Sequence, residues 1–88
     1  MTVTADQVRA AVEAALAPES LEVIDDSHLH AGHAGAREGR HFTVRVVSAR
    51  FNGLSRLARH RLVYHSVDVL MAQGIHALAI DARAPGDH

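Results

Sequence analysis

The first apolar positions of the chain recur at the spacing of one face of an α-helix. They are Val8, Ala11, Val12, Ala15 and Leu16. Thr4 lies three residues before Gln7, which is the pattern of a capping box at a helix start, and Pro18 cannot continue a helix. The pattern therefore predicts a first helix over residues 4–17.

Three later segments have the short, β-branched character of strands. Residues 21–24 form a partly alternating run, residues 41–48 alternate clearly, and residues 75–82 form a third run before Pro85. The long segment 27–39 contains three glycines and three histidines and has no usable period. It predicts a loop, and structureless loops of this length are usually functional or mobile.

A second helical region is predicted between the last two strands. A turn at 50–53 precedes it, because Asn-Gly favours a positive φ, and a short extra helix can precede the long one. Ser55 can cap the region, which runs to about Gln73, and Gly74 occupies the position just past its end. One face is predicted to pack, and its members are Ala58, Leu62, Ser66, Val69 and Leu70. Tyr64 lies one turn after His60 and is expected to hydrogen-bond with it.

The order of elements is α-β-β-α-β, which predicts an α+β fold. The natural way to bury these apolar stripes is a three-stranded sheet with the helices packed on one face. The chain is long enough for one domain, 1–88, and too short for two.

Composition narrows the class of protein further. The net charge of −1 argues against a general nucleic-acid coat, and the lack of cysteine excludes a disulfide or a cysteine-ligated metal within this chain. No apolar run approaches the roughly 20 residues of a membrane span, and no basic-then-apolar leader is visible. A soluble, cytoplasmic protein is therefore expected.

Histidine is the unusual residue of this chain. There are eight, at positions 28, 30, 33, 41, 60, 65, 76 and 88. A neutral imidazole is a competent iron ligand, as in iron–sulfur centres that carry two histidines on one iron. His76 begins a strand whose alternate positions, Leu78 and Ile80, are apolar, so alternation predicts that it lies on the core-facing side at the strand's mouth.

Three stretches of the sequence together resemble the BolA family. The first is Asp-Ser-His-Leu-His at 26–30, which leads through the glycine-rich loop to His-Phe at 41–42. The second is Ser-Ala-Arg-Phe-Asn-Gly-Leu-Ser at 48–55, followed by Arg-His-Arg-Leu-Val-Tyr at 59–64. The third is Gly-Ile-His-Ala-Leu-Ala-Ile at 74–80. The loop looks like a bacterial, histidine-rich variant of the family pattern.

The resemblance implies an αββ(α)αβ fold related to class II KH domains, with no enzymatic activity of its own. It also implies a heterodimer with a monothiol glutaredoxin, in which a 2Fe–2S cluster bridges the two proteins. Glutaredoxin and a glutathione thiolate would hold one iron, and side chains of this chain the other. His76 matches the family's strand-three ligand, and His30 matches its loop ligand by position. His33 is a second candidate in the loop, and the choice between them stays open.

Each of these assignments has an alternative in which the residue has only a structural role. The histidine loop can be a solvated polar segment, His76 a hydrogen-bonded strand boundary, and Asp25-Asp26 a solvated strand end. His41 is left without an assigned role, as either a neighbour of the metal ligands or a structural residue.

The basic residues around the second helix predict a binding surface. They are Arg50, Arg56, Arg59, His60 and Arg61. They can contact an acidic partner surface or the carboxylates of glutathione, or they can bind DNA as part of a transcriptional regulator. The KH-type Gly-x-x-Gly loop is absent from the Gly53 turn, and Arg59 and Arg61 lie on opposite sides of the helix, which places DNA binding second. A metallohydrolase is disfavoured because the chain lacks a paired carboxylate or a nucleophile–base arrangement.

Overall fold

The computed structural model describes residues 3–27 and 40–87. Its elements, in chain order, are α1 (Ala5–Leu16), β1 (Ser20–Asp25), β2 (Arg40–Val47), a 3₁₀ turn (Ala49–Phe51), α2 (Arg56–Ser66), α3 (Asp68–Gln73) and β3 (Ile75–Arg83). The predicted α-β-β-α-β order is confirmed, and the second helical region consists of two helices. No helix within the described ranges combines the length and apolar character needed to cross a bilayer.

The sheet has β2 at its centre. β2 pairs antiparallel with β1 and parallel with β3, and the parallel connection is made by α2 and α3. Phe42, Val44 and Val46 are buried on the face of β2 that packs against the helices. Burying a side chain of this kind stabilises a fold by about 1.5–3 kcal/mol. The predicted arrangement, with helices on one face of a three-stranded sheet, is confirmed.

Helix α1 begins and ends where its sequence predicts. Its buried side chains belong to the predicted face and are Val8, Val12 and Leu16. Thr4 and Gln7 form the capping box, because the Thr4 hydroxyl accepts from the Gln7 backbone N–H and the Gln7 side chain accepts from the Thr4 backbone N–H. Ala17 adopts the left-handed conformation, with φ of 43°, and closes the helix before Pro18.

A buried serine joins the end of α1 to the end of β2. The Ser48 hydroxyl donates to the Leu16 carbonyl at 2.6 Å and accepts from the Arg50 backbone N–H at 3.1 Å. The second bond caps the 3₁₀ turn, which carries Phe51 into the core with none of its surface exposed. The predicted turn at 50–53 is thus a short helical turn, followed by Gly53 at a φ of 74°.

The predicted packing face of the second helical region is partly confirmed: Leu62 and Leu70 pack against the core, but Val69 does not. Val63 and Val67 are fully buried, whereas Val69, which was expected to pack, is 68% exposed. Val67 lies between α2 and α3 with non-helical ψ, and the Ser66 hydroxyl donates to the Val63 carbonyl at 2.6 Å. Such a bond from a serine to the backbone competes with the helical ladder. The break rotates the residues after it relative to a continuous helix.

Two side chains of α2 cover the outer edge of β3. The Tyr64 hydroxyl donates to the Leu78 carbonyl at 3.2 Å, and Arg59 Nη1 lies 3.4 Å from the Ala82 carbonyl oxygen. The predicted hydrogen bond between Tyr64 and His60 is therefore replaced by one to the sheet. Within residues 3–27 and 40–87 no strand pairs with this edge, so the two side chains supply donors to carbonyls there.

Candidate metal-ligating site at the loop end of the sheet

An irregularity in β3 sets the direction of His76. Arg40 pairs with Ile75 and His41 pairs with Ala77, so His76 is an extra residue on its strand with no partner on β2. A bulge of this kind changes the phase of the strand. Ile75 and Leu78 are consequently buried, and His76 is exposed. The prediction that His76 faces the core is wrong, because it assumed an unbroken alternation from residue 76 to residue 80.

His41 lies beside His76 at the same end of the sheet. The centroids of the two imidazole rings are 5.2 Å apart, and the ring planes are inclined by 38°. Phe42 points into the core from β2, so His41 projects from the opposite face. The sequence left His41 without a role. The signal that could have indicated one is its position at the start of β2, since the starts of parallel neighbouring strands lie together.

Residues 26 and 27, which precede the predicted histidine-rich loop, contact His41. The backbone N–H of His41 donates to the Ser27 hydroxyl at 3.0 Å, and its carbonyl accepts from the Asp26 backbone N–H at 2.8 Å. The Thr43 hydroxyl also donates to the Asp26 carboxylate. These contacts hold the entry to the loop against the start of β2.

An ion pair joins the two ends of the loop. Asp25 accepts from the guanidinium of Arg40 and from the backbone N–H of Ser27, the latter at 2.9 Å. Partial burial raises the pKa of the Asp25 carboxyl, but the hydrogen bonds from Ser27 and the hydrogen bond and charge of Arg40 outweigh it. The pKa therefore lies below its ordinary value of 3.8. The carboxylate form is the one that closes the base of the loop.

This ion pair predicts an acid-sensitive component of stability. Because the pKa of Asp25 is lower in the folded than in the unfolded chain, its contribution is complete above pH 3.8 and is lost as pH falls through the folded value. Both side chains are about one-third exposed, so the contribution is at most about 1 kcal/mol. Urea unfolding at neutral pH and near pH 3 should show a smaller acid loss in Asp25→Asn than in the wild type. Glu19→Gln, on an exposed side chain, should keep the wild-type acid loss; equal losses in all three proteins would contradict the assignment.

The described residues offer a partial donor set for a metal. His41 and His76 supply two imidazoles, and no group of three possible ligands occurs within residues 3–27 and 40–87. The predicted loop ligands His30 and His33 lie outside the described residues. Two neighbouring imidazoles at an accessible edge fit a metal centre whose other ligands come from the loop or from another molecule.

Comparisons with known proteins settle the family. The model of the BolA-like protein family matches residues 12–87. The chain belongs to the BolA family. It is 49% identical to mouse BolA-like protein 1 over 78 residues, which is 89% of this chain and 56% of that protein. The chain thus spans little more than half the length of that relative. The histidine-rich loop subtype stays a prediction.

One solved structure and one further relative are also similar to this chain. The structure of BolA1 from Arabidopsis thaliana superposes on this BolA-family chain with a TM-score of 0.84 and 36% identity, covering 100% of this chain and 98% of the other. A Vibrio cholerae protein named DNA-binding transcriptional regulator BolA is 49% identical over 63 residues, which is 72% of this chain and 58% of that protein.

The predicted basic residues of this BolA-family chain differ in exposure and in their contacts within the chain. Its members are Arg50, Arg56, Arg59, His60 and Arg61. Arg61 is exposed, whereas Arg59 is largely covered and donates to the Asp87 carboxylate and to the Leu54 carbonyl. The expectation that Arg59 and Arg61 face different directions agrees with this difference. Their role in binding a partner or nucleic acid stays a prediction.

Proposed function

We propose that this BolA-family chain is an iron–sulfur cluster assembly or trafficking adaptor, which binds a monothiol glutaredoxin and shares a 2Fe–2S cluster with it. The observation that carries the proposal is the exposed His76 with the half-buried His41 beside it, at the end of the sheet where β2 begins. His76 and a loop histidine, His30 or His33, are the proposed ligands. Glutathione, supplied with the glutaredoxin, completes the set.

The position and exposure of His76 support a cluster that is shared with a partner. A ligand on a strand is held more rigidly than a ligand on a loop alone, and exposure lets a partner approach it. Imidazole in place of thiolate reduces the negative charge on the cluster and raises its reduction potential. His41 is proposed as a neighbour that positions the His76 ring. Since each ligating imidazole must be deprotonated, acid conditions should weaken the assembly.

The proposal also covers the catalytic activity and the location of this chain. We infer that it has no catalytic activity of its own, because ligation and docking are sufficient for the role. We also place the role in the cytoplasm, as the composition suggests.

Reconstitution with a partner tests the function directly. The full chain and a monothiol glutaredoxin are mixed with glutathione, iron and sulfide under anaerobic conditions. The expected product is a one-to-one complex whose visible absorbance and circular dichroism differ from those of the glutaredoxin homodimer. A mixture that gives only the homodimer spectrum, with this chain eluting separately, would rule the adaptor function out.

A second candidate function is DNA binding by a transcriptional regulator. The observation in its favour is the relative from Vibrio cholerae that bears this name. Salt-dependent binding of duplex DNA by the metal-free chain, with a shallower salt dependence in Arg61→Gln, would support it. The engagement of Arg59 within the chain reduces the charge available for phosphate contacts and places this function second.

A further inference from the structure

A polar groove runs between the first turns of α2 and the end of β3, away from the histidine pair. It has a volume of about 670 Å³ and is lined by Leu54, Arg56, Arg59, His60, residues 80–83 and Asp87. We call it the basic groove. The groove lies at the opposite end of β3 from His76. A ligand of the groove can therefore be proposed without reference to the cluster.

Some charged side chains in the basic groove form ion pairs, whereas one arginine forms none within the described part of the chain. Asp81 is engaged by its neighbour Arg83, whose Nε donates to the carboxylate at 2.9 Å. Arg56, in the first turn of α2, has no ion pair with any residue in the ranges 3–27 and 40–87. The first turn of a helix also carries a partial positive charge. The three arginines that line the groove outnumber its two carboxylates, so the groove can accept a further anion.

The anion in the groove is the chain's own Asp87. Its carboxylate accepts from Arg59 Nη1 at 2.5 Å, although the two residues are 28 positions apart. The side chain of Arg59 is 17% exposed and that of Asp87 is 39% exposed. The hydrogen bond from Arg59 and that from the backbone N–H of Ala84 lower the pKa of Asp87. The largely buried guanidinium of Arg59 thus pairs with the more exposed carboxylate of Asp87.

Asp87 reaches this place through a short turn that follows β3. Its backbone N–H donates to the Ala84 carbonyl at 3.1 Å, and Ala84 itself is buried. Beyond Ala84, the segment is held by this turn and by the contact with Arg59. Another carboxylate can therefore displace Asp87 without disturbing the core.

We propose that the basic groove binds an acidic peptide segment of a partner protein, and that Asp87 occupies the same carboxylate position in the free chain. A carboxylate is the anion that the groove already accommodates. Asp81 also lines the groove, but its carboxylate is already engaged by Arg83. The turn at residues 84–87 is consequently a competitive inhibitor built into the chain.

Asp87→Asn tests the competition. A tethered group competes at a high effective concentration, so neutralising it should strengthen binding of an external carboxylate by at least about threefold. A synthetic oligoglutamate is titrated into the isotope-labelled full chain and followed by nuclear magnetic resonance. The amide signals of Arg56 and Arg59 should shift, with the lower Kd in Asp87→Asn.

Two further variants test whether the effect is specific to the groove, and a second probe tests whether the ligand is a peptide or a nucleic acid. Glu13→Gln removes the same charge from an exposed position on α1 and should leave the Kd unchanged. Arg56→Gln, also at an exposed position, should weaken binding in the Asp87→Asn background. Absence of binding, or equal Kd values for the wild type, Asp87→Asn and Glu13→Gln, would overturn the proposal. Tighter binding of oligothymidylate than of oligoglutamate would also overturn it, and would assign the groove to nucleic acid.

Discussion

Replacing His76 with alanine is expected to abolish the spectrum of the cluster-bound heterodimer. His76 is exposed on the extra residue of β3 and is the strand ligand in the proposed function. Loss of a ligand should reduce the cluster-bound fraction by more than about tenfold, since even residues that only support a ligand affect metal affinity by that much. Circular dichroism of the reconstituted mixture measures the loss.

His65 provides the matched control for this variant. It is an exposed histidine on α2, so His65→Ala removes an imidazole while leaving the loop end of the sheet intact. It should retain the wild-type spectrum. His41→Ala should retain a cluster with an altered spectrum, because the ring beside His76 is lost. An unchanged spectrum in His76→Ala would show that the ligand assignment is incorrect, even if the heterodimer itself forms.

Truncating Phe51 should cost the fold more than any surface change. The side chain is fully buried, and it is carried into the core by a turn that Ser48 caps. Removal of a buried phenylalanine side chain typically costs about 3–5 kcal/mol, which combines lost burial with a residual cavity. The free energy of unfolding of Phe51→Ala, measured by urea titration, should fall by that amount.

Leu57 tests whether burial is the cause of this effect. Leu57 is an apolar residue of α2 with 61% of its surface exposed. Its replacement by alanine should change the free energy of unfolding by less than about 0.5 kcal/mol. Similar losses in Phe51→Ala and Leu57→Ala would mean that the core described here does not account for the stability.

Much of the fold could be predicted from local patterns. The capping box at Thr4 and the buried alternation in β2 depend on residues close in sequence, and both are present in the structure. The break at Val67 could not be read from periodicity, because a single helical face and two faces joined by a break share most of their positions. The serine bond to the backbone that accompanies the break depends on the surrounding packing, which periodicity does not report.

The candidate site, like the fold, could be predicted only in part from the sequence. The sequence singled out His76, but it assigned the wrong direction to its side chain, since one unpaired residue in a strand reverses the faces of its neighbours. The nearness of His41 depends on the register between β2 and β3 and could not be derived from either strand alone. The groove partner of Arg59 was also missed, because Asp87 is distant in sequence.

The side chains of Tyr64 and Arg59 also affect how the molecule behaves among copies of itself. An uncovered strand at the margin of a sheet is a template on which other chains can polymerise. Carbonyls of β3 that an incoming backbone would use are already occupied by a phenol and a guanidinium from the helix. Fibril growth along this margin must first displace both groups, so the domain is protected against aggregation at that edge.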